Sequence, residues 1–423
     1  MGILKEKISK EISNSPQIIT QLKSIFEQDV PYDHDFSTFT TTDIPNELKK
    51  FMSDVAEMNI AISPKAFPSI KKMEKECIDF IAKLFHAQTD EQGNKNYIGV
   101  ATVGSSEACI MAGISMLFNW RKKNDNRLKE NIVKPNMIIS DAYQICWKKF
   151  TDMFGVELRL VHTDDKCRIK IDELETAIDE NTIGIVALFA NTLTGCYDNI
   201  EDINSLVGKI KGTRSLCIPV HVDAASGGFY APFVTPNLPF DFRLENITSV
   251  SVSGHKFGLV PPSIGWLIFR NDTLMNSPLK NELDYLGGGM LKDIGINFSK
   301  SGMPLVAQYF LIKVLGFDGY KELITKVDNM SKYMESELKK IPNLNIIAKG
   351  DISTVIYNVD GIDMGRLECL LRAKYHWQVP TYTLPNSNII CQRLVIRTDV
   401  TMDLANKFVA DLKEAICYLS QNV

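Results

Sequence analysis

Residues 248–259 read Thr-Ser-Val-Ser-Val-Ser-Gly-His-Lys-Phe-Gly-Leu and place Lys256 directly after a β-branched run. The alternation predicts a strand over 248–252, and the glycines on both sides of the lysine predict a turn. A reactive lysine needs such surroundings, because a confined and poorly solvated pocket lowers the amine pKa and leaves more of the amine unprotonated. Taken alone, the Ser-Gly-His-Lys run is more often a surface turn.

The same alternation of short apolar runs and helical stretches extends in both directions from this segment, from about residue 100 to 270. Helices are predicted at 107–123 and 171–178. Strands are predicted at 137–140, 156–161, 183–189, 216–222, 248–252 and 266–269. Strands alternating with helices are typical of an α/β fold with a mostly parallel sheet.

The pattern changes near residue 304, which divides the chain. A helix at 305–314, Gly316 and strands at 353–358 and 389–396 predict a smaller α+β domain. Residues 1–55 are typical of an arm that wraps around a dimer partner. We therefore expect an arm over 1–55, a large domain over 56–304 and a small domain over 305–423, a number of units that suits the chain length.

Composition excludes several functional classes. Of 423 residues, 45% are hydrophobic and 23% are charged, which is the balance of a soluble globular protein. The net charge of −4 gives no reason to expect a nucleic-acid partner. Nine scattered cysteines form no metal-binding motif and predict free thiols in a reducing, cytoplasmic compartment, with no metal and no membrane segment.

Asp223 is the second candidate functional residue. It follows the apolar stretch 216–222, at the carboxyl end of a predicted strand, where α/β sheets bind ligands. A carboxylate there can keep a pyridinium nitrogen protonated, which makes pyridoxal phosphate an electron sink. The alternative is a helix N-cap, but the small residues at 224–228 favour the first interpretation.

A third feature, Gly104-Ser-Ser-Glu-Ala108, precedes a predicted helix. It places Ser105, Ser106 and free backbone N–H groups at the positive helix end, where phosphate groups bind. An ordinary serine cap with a capping glutamate is the alternative, and alone it would be preferred. A phosphate cradle, an acid and a lysine in one α/β domain each meet a different requirement of pyridoxal 5'-phosphate, so together they predict this cofactor.

At these residues the sequence also resembles the group II pyridoxal-phosphate decarboxylases, and among them the glutamate decarboxylases. The similarity runs from about residue 35 to the end of the chain. The motifs that carry it are Gly104-Ser-Ser-Glu-Ala-Cys, Gln144-Ile-Cys-Trp-Lys-Lys-Phe, His221-Val-Asp-Ala-Ala-Ser-Gly-Gly-Phe, Asp241-Phe-Arg-Leu, Ser253-Gly-His-Lys-Phe-Gly-Leu, Asp284-Tyr-Leu-Gly-Gly and Ile296-Asn-Phe-Ser.

The resemblance implies a fold-type I architecture and a role for each matching cofactor residue. Lys256 would form the Schiff base with the cofactor, and Asp223 would hold the pyridinium. Ser105, Ser106, Ser253 and His255 would bind the phosphate, Gln144 would stack on the ring, Thr192 would lie near the ring hydroxyl, and Ser299 would reach the phosphate of the neighbouring subunit in a homodimer.

Substrate contacts follow from the same resemblance. Thr38 and Phe39 would grip the distal carboxylate of glutamate from the partner subunit, and Arg397 would bind the α-carboxylate. Asn59 matches the substrate-binding asparagine if a one-residue gap is allowed, whereas Ser63 stands where an acidic residue is usual. Lys256 or Tyr285 would return the proton, although Tyr285 is equally a packed loop aromatic.

The expected activity is decarboxylation of L-glutamate to 4-aminobutanoate and CO2. Ser63 leaves open an aspartate or aromatic amino-acid decarboxylase, or a related carbon–carbon lyase. A catalytically inactive scaffold is the alternative from another class, but the retained Lys256 and Asp223 argue against it. Since the sequence ends at Val423, we also expect activity without the C-terminal tail that closes the site in some bacterial members.

Overall fold

The computed structural model describes residues 3–27, 29–41, 44–58, 67–89, 92–125, 134–275, 277–283 and 291–421. Three residues singled out in the sequence, Asn59, Ser63 and Tyr285, lie outside these ranges. Within the described ranges, no helix combines the length and apolar character needed to cross a bilayer.

The largest sheet in the described chain has seven strands, in the order β1-β7-β6-β5-β4-β2-β3. Strands β2 to β6 are parallel, and β7 runs antiparallel between β6 and β1. The strands are β1 Ile98–Thr102, β2 Asn136–Ser140, β3 Glu157–Val161, β4 Thr182–Leu188, β5 Val220–Asp223, β6 Ile247–Ser253 and β7 Gly265–Phe269. The predicted α/β class with a mostly parallel sheet is confirmed.

One predicted strand is shorter than the sequence pattern suggested. The apolar run 216–222 predicted a strand over its full length, but β5 begins only at Val220. The residue before it is Pro219, which has no N–H to donate to a neighbouring strand. Because β5 lies between β4 and β6, hydrogen bonding on both sides cannot continue through that proline.

Helices cover this sheet and also occur in the N-terminal and C-terminal regions of the chain. They are Ile3–Ser13, Pro16–Phe26, Asn46–Asp54, Pro68–Leu84, Ser105–Lys123, Ile145–Phe154, Ile171–Ala177, Ile200–Arg214, Ala231–Val234, Met303–Leu338, Met364–Tyr375 and Met402–Gln421. The predicted helix at 305–314 forms the first part of Met303–Leu338, which is interrupted at Gly316, where φ is 57°. Glycine adopts that backbone conformation at little cost, so the interruption is encoded locally.

A second, antiparallel sheet in the order β10-β11-β13-β12 belongs to the C-terminal region. Its strands are β10 Leu344–Lys349, β11 Thr354–Val359, β12 Thr381–Thr383 and β13 Ile390–Val395, and a separate pair is formed by β8 Lys280–Leu283 and β9 Leu291–Ile294. The second sheet and the C-terminal helix share their own buried core, which includes Tyr357, Leu394 and Phe408. The proposed boundaries at residues 55 and 304 stay predictions.

A buried carboxylate, Asp198, fixes the carboxyl end of β4. It is 3% exposed and accepts hydrogen bonds from the main-chain N–H groups of Leu188 and Ile169, each at 2.7 Å. Burial raises the pKa of Asp198 to about 7, because desolvation penalises the charged carboxylate more than these two hydrogen bonds favour it. The ordinary aspartate pKa is about 4. At pH values between about 4 and 7, the Asp198 carboxyl group is therefore mostly ionised in the unfolded chain and mostly protonated in the folded one.

Asp198 should therefore make stability fall as the pH rises. Its contribution is complete below about pH 4 and is lost as the pH passes through about 7. We expect the free energy of unfolding of the native protein to decrease, relative to Asp198→Asn, by on the order of 2 kcal/mol between pH 5 and pH 8. Urea denaturation at both pH values, with exposed Asp172→Asn as the control, measures this. If the difference in unfolding free energy between the native protein and Asp198→Asn did not change with pH, the raised pKa of Asp198 would be contradicted.

Candidate active site

Two parallel strands end side by side and carry the two central groups of the site. Asp223 is the last residue of β5, and Lys256 follows the end of β6. The Lys256 Nζ donates to the Ser226 Oγ at 3.1 Å. Burial lowers the pKa of Lys256, because desolvation disfavours the ammonium form, while the negative charge of Asp223 acts in the opposite direction. The structure thus brings these two residues, both selected from the sequence, close enough for their charges to interact.

The predicted phosphate cradle lies at the same edge. The helix begins at Ser105, two residues before the predicted start at residue 107. A Cβ on Gly265 would lie 2.4 Å from the carbonyl carbon of Gly104, so only glycine lets β7 approach the helix start this closely. A Cβ on Gly104 would lie 3.9 Å from the His255 Cε1, which brings the cradle and the lysine loop together.

Ser253 provides a direct test of whether these residues suit a phosphate group. Its hydroxyl is fully buried, and within the described structure it has no hydrogen-bond partner. A buried polar atom without a partner is costly and marks a place where a ligand atom is expected. Ser253 precedes Gly254 and His255 in the same loop, so the residues present fit the phosphate end of the predicted cofactor.

Asp223 is held by donors from two helices. Its Oδ2 accepts from the Trp147 Nε1 at 2.9 Å and from the Cys109 Sγ at 3.5 Å, and its Oδ1 accepts from the Ala225 N–H at 3.2 Å. The carboxylate is 5% exposed. These contacts fix its direction at the strand end, as a partner for a ring nitrogen requires.

Trp147 is a functional contact that the sequence reasoning missed. A spacing of three residues from Phe150 on one helix is typical of core positions, and both side chains are fully buried. The indole N–H nevertheless points at Asp223. The feature of the sequence that could have indicated this contact is the position of Trp147 three residues after Gln144, near the start of the same helix.

Thiols also lie close to this acid. The Sγ atoms of Cys109 and Cys146 and a carboxylate oxygen of Asp223 all lie within 4.8 Å of one another. Burial raises the pKa of the Cys109 thiol, and the neighbouring Cys146 and Asp223 act in the same direction. Neutral thiols beside a carboxylate serve as weak hydrogen-bond donors to it.

The opposite side of the pocket combines Gln144, Thr192 and Arg393. The Gln144 Nε2 donates to the Thr192 Oγ1, and the Arg393 Nη1 donates to the Thr192 carbonyl oxygen. The Arg393 guanidinium lies 4.9 Å from the centre of the Phe39 ring, and the Lys256 Nζ lies 5.4 Å from the same centre. The structure thus brings Gln144 and Thr192 together. Arg393 is a residue that the sequence reasoning did not select.

Thr38 and Phe39 require a correction. They were expected to reach the site from a partner subunit, yet Phe39 packs beside Lys256 of its own chain. The segment is anchored there because the Thr41 N–H donates to the His255 carbonyl oxygen at 2.8 Å. The arm therefore folds over its own active site.

Arg397 also differs from the expectation. Its guanidinium donates to the carbonyl oxygens of Tyr32, Asp35 and Thr38 and to the carboxylate of Asp399, with 3.0 Å to Tyr32 and 3.1 Å to Thr38. These bonds hold the arm against the small domain. Arg393 is also buried, with 8% of its surface exposed, but its Nε has no hydrogen-bond partner in the described structure.

Ser299 belongs to a segment that contacts the start of the Ser105–Lys123 helix. It is exposed, and its segment is held where the Glu107 Oε1 accepts the N–H groups of Ile296 and Asn297, both at 3.1 Å. The Glu107 Oε2 also accepts from the Val103 N–H at 2.7 Å, so the capping role considered for this glutamate is present beside the cradle. The contact of Ser299 with a neighbouring subunit stays a prediction.

Known proteins resemble this chain in sequence and in fold. The family model for the pyridoxal-dependent decarboxylase conserved domain matches residues 2–360. A glutamate decarboxylase of Lactococcus lactis subsp. cremoris is 38% identical over 91% of this chain and 83% of its own length. The glutamate decarboxylase beta of Listeria monocytogenes is 35% identical over 90% of this chain and 82% of its own length. The solved structure of a Lactobacillus brevis glutamate decarboxylase superposes with a TM-score of 0.90 and 35% identity, over 96% of this chain and 93% of that one.

Proposed function

Because this chain belongs to the pyridoxal-dependent decarboxylase family, we propose that it removes the α-carboxylate of L-glutamate as CO2 and releases 4-aminobutanoate. The observation that carries the proposal is the position of Lys256 and Asp223 near the ends of adjacent strands. Arg393 and Phe39 lie beside Lys256 in the same pocket. The names of the relatives support glutamate as the substrate.

When bound, pyridoxal 5'-phosphate supplies an electron-accepting ring that stabilises negative charge at the substrate α-carbon. The residues of this chain prepare that chemistry. Asp223 holds a proton at the ring nitrogen, and its contact with Trp147 fixes the carboxylate direction. Ser105, Ser106, Ser253 and His255 hold the phosphate, while Gln144 and Thr192 border the ring.

Lys256 has two tasks in this account. Its amine reacts readily because burial lowers its pKa and thus raises its unprotonated fraction. The same Nζ would also move a proton to the α-carbon of the substrate. Phe39 lies against the amine and excludes water from it. Tyr285 stays a candidate for this proton transfer, outside the described residues.

Arg393 is the group that we propose for the α-carboxylate, in place of Arg397. Its buried guanidinium lies by the same aromatic ring as Lys256 and keeps one N–H without a partner among the described residues. An arginine can pair with a carboxylate through two hydrogen bonds. Thr38 and Phe39 border the same space and are proposed to contact the distal carboxylate, together with Asn59.

Replacing Arg393 and replacing Arg397 should have different effects on kcat/KM and on stability. In Arg393→Gln, a substrate carboxylate loses its buried charge partner, which typically costs about 2 to 5 kcal/mol, so we expect kcat/KM for glutamate to fall by roughly 30-fold or more. Steady-state kinetics measures this effect.

Arg397→Gln is the matched control, because it removes the same charge four residues away. It breaks bonds that hold the arm, so we expect a lower melting temperature and a smaller loss of kcat/KM than in Arg393→Gln. Equal losses in the two variants, or a larger loss in Arg397→Gln at a temperature where both are folded, would return the α-carboxylate to Arg397.

A homodimer is also part of the proposal. The N-terminal helices expose several apolar side chains, among them Ile8, Ile12, Ile18, Leu22 and Ile25, each about half exposed. An apolar surface of this kind is typical of a segment that packs on another chain. We propose that it covers a second copy, that Ser299 reaches the phosphate of that copy, and that the protein acts in the cytoplasm.

A substrate panel tests the proposed activity. Purified, cofactor-loaded protein is incubated with each common amino acid while CO2 and amine products are quantified. We expect glutamate to be converted with the highest kcat/KM. A preference for aspartate or for an aromatic amino acid would reject glutamate specificity, and no turnover of any amino acid by protein that carries the cofactor would favour the inactive scaffold.

A further inference from the structure

A cavity of about 630 Å³ opens at the end of the large sheet opposite to Lys256. It lies between the last turns of the Ser105–Lys123 helix and the beginnings of β5 and β6. Pro219 and Thr248 mark those strand beginnings, and Phe269 is the end of antiparallel β7. The volume is that of ordinary small-molecule sites, which span about 300 to 1,000 Å³.

The chemistry of the cavity is asymmetric. Its exposed lining is mainly apolar, with Met116, Ile218, Phe269 and Leu274 among the lining residues. Polar side chains, among them Ser115, Asn119, Asn246 and Thr273, also line it. Three lysines border it, and of these Lys211 pairs with Glu245 at 3.0 Å.

The other two border lysines, Lys122 and Lys123, have no ion pair within the described part of the chain. Basic residues near a helix C-terminus are favourable in any protein, but that preference does not explain why an apolar cavity lies beneath them. An apolar interior under two uncompensated ammonium groups suits an anion with an apolar body.

A polar stripe leads from this cavity to the active site along one face of the sheet. It consists of Ser249, His221, Ser251, Cys109 and Asp223. In this order, Ser249 Oγ and His221 Nδ1 lie 2.8 Å apart, His221 Nε2 and Ser251 Oγ 3.2 Å, Ser251 Oγ and Cys109 Sγ 3.6 Å, and Cys109 Sγ and Asp223 Oδ2 3.5 Å.

The stripe is unusual because it is buried and continuous. Ser249, Ser251 and His221 are at most 1% exposed, and Ser249 also lines the cavity. Burial lowers the pKa of His221 to about 4, so its ring is neutral at physiological pH and donates from one nitrogen while accepting at the other. A ligand that changed the bond at Ser249 would thereby shift the balance between the two neutral forms of His221, and with it the hydrogen bonds that continue to Asp223.

We propose that the cavity is an effector site for a small organic phosphate with an apolar body, and that its occupancy changes the environment of Asp223 through the stripe. Lysine ammonium groups bind phosphate as point charges, and the apolar interior takes the remainder of the ligand. The binding step stands by itself, whereas the second step rests on the proposed role of Asp223 at the cofactor nitrogen.

Calorimetry with phenyl phosphate as the probe tests the binding step on cofactor-loaded protein. We expect saturable binding to the native protein, an affinity at least about tenfold lower in Lys122→Gln/Lys123→Gln, and native affinity in the control Lys148→Gln/Lys209→Gln, whose exposed lysines lie outside the cavity. Phenol and inorganic phosphate should each bind more weakly than the probe.

Three results would overturn the site. These are absence of saturable binding, equal affinity in the two double variants, or inorganic phosphate binding as tightly as phenyl phosphate. The last result would show that the apolar interior is not used.

The visible absorption spectrum of the bound cofactor tests the coupling. We expect saturating phenyl phosphate to change the ratio of its absorption bands in the native protein. Ser249→Ala should bind the probe but lose this change, because its link to His221 is gone. Thr248→Val is the matched control, since it removes a hydroxyl that lines the cavity outside the stripe. An unchanged response in Ser249→Ala, or no response in the native protein at saturation, would reject the coupling. Neither readout uses turnover, so both remain informative if glutamate is not the substrate.

Discussion

Replacing Lys256 by alanine should remove both the visible absorbance of the bound cofactor and amino-acid turnover. The Nζ is the one amine placed beside Ser226 and Phe39 in the described pocket, and burial lowers its pKa. Loss of a covalent catalytic group typically costs several orders of magnitude, so we expect kcat to fall by at least about 10⁴-fold. Absorbance spectroscopy and steady-state kinetics measure the two effects.

Lys148→Ala is the control for this experiment. Lys148 is an exposed lysine paired with Asp152 on the surface of the helix that also carries Trp147. It should retain the cofactor spectrum and turnover. If Lys256→Ala kept the native spectrum, another lysine would hold the cofactor, and the assignment of the pocket would be wrong.

Asp223→Asn should produce the second largest loss. Asparagine has nearly the same shape and can still accept the Trp147 hydrogen bond, so the fold should be preserved. It carries no negative charge, however, and cannot keep a ring nitrogen protonated. We expect the cofactor to remain attached at Lys256 while kcat falls by on the order of 10³-fold, because charge stabilisation is often the largest catalytic contribution.

Asp198→Asn is the matched control for the acid. Asp198 is also a buried aspartate near the end of a sheet strand, but its carboxylate is occupied by main-chain N–H groups. Its replacement should leave kcat within a few-fold of the native value. If kcat fell as much in Asp198→Asn as in Asp223→Asn, the loss in Asp223→Asn would be explained by impaired folding and not by the missing charge at the cofactor nitrogen.

Much of the site could be predicted because its elements are local and share one sheet edge. Asp223 and Lys256 each follow an apolar strand, and the carboxyl ends of parallel strands meet at the same edge. Ser105 begins a helix whose start is recognisable from Gly-Ser-Ser-Glu. Order along the chain and strand direction together were sufficient to assemble these three parts.

The remaining features depend on contacts between distant segments. Arg393 and Arg397 are four residues apart, and no local pattern tells that one meets Phe39 while the other holds the arm. The position of Phe39 over its own Lys256 depends on how the arm returns across the small domain. The spacing of Trp147 is that of a core residue, and only the three-dimensional structure reveals its hydrogen bond to Asp223.

The most direct test of the proposed reaction follows the carbon and the proton of glutamate itself. Cofactor-loaded protein is given glutamate labelled with ¹³C in the α-carboxylate, or in the distal carboxylate, in D₂O. We predict that only the α-carboxylate label appears in CO2 and that each 4-aminobutanoate carries one deuterium at the former α-carbon. Release of the distal label, or labelled CO2 without the deuterated amine, would contradict decarboxylation at the α-carbon by the Lys256 and Asp223 pair.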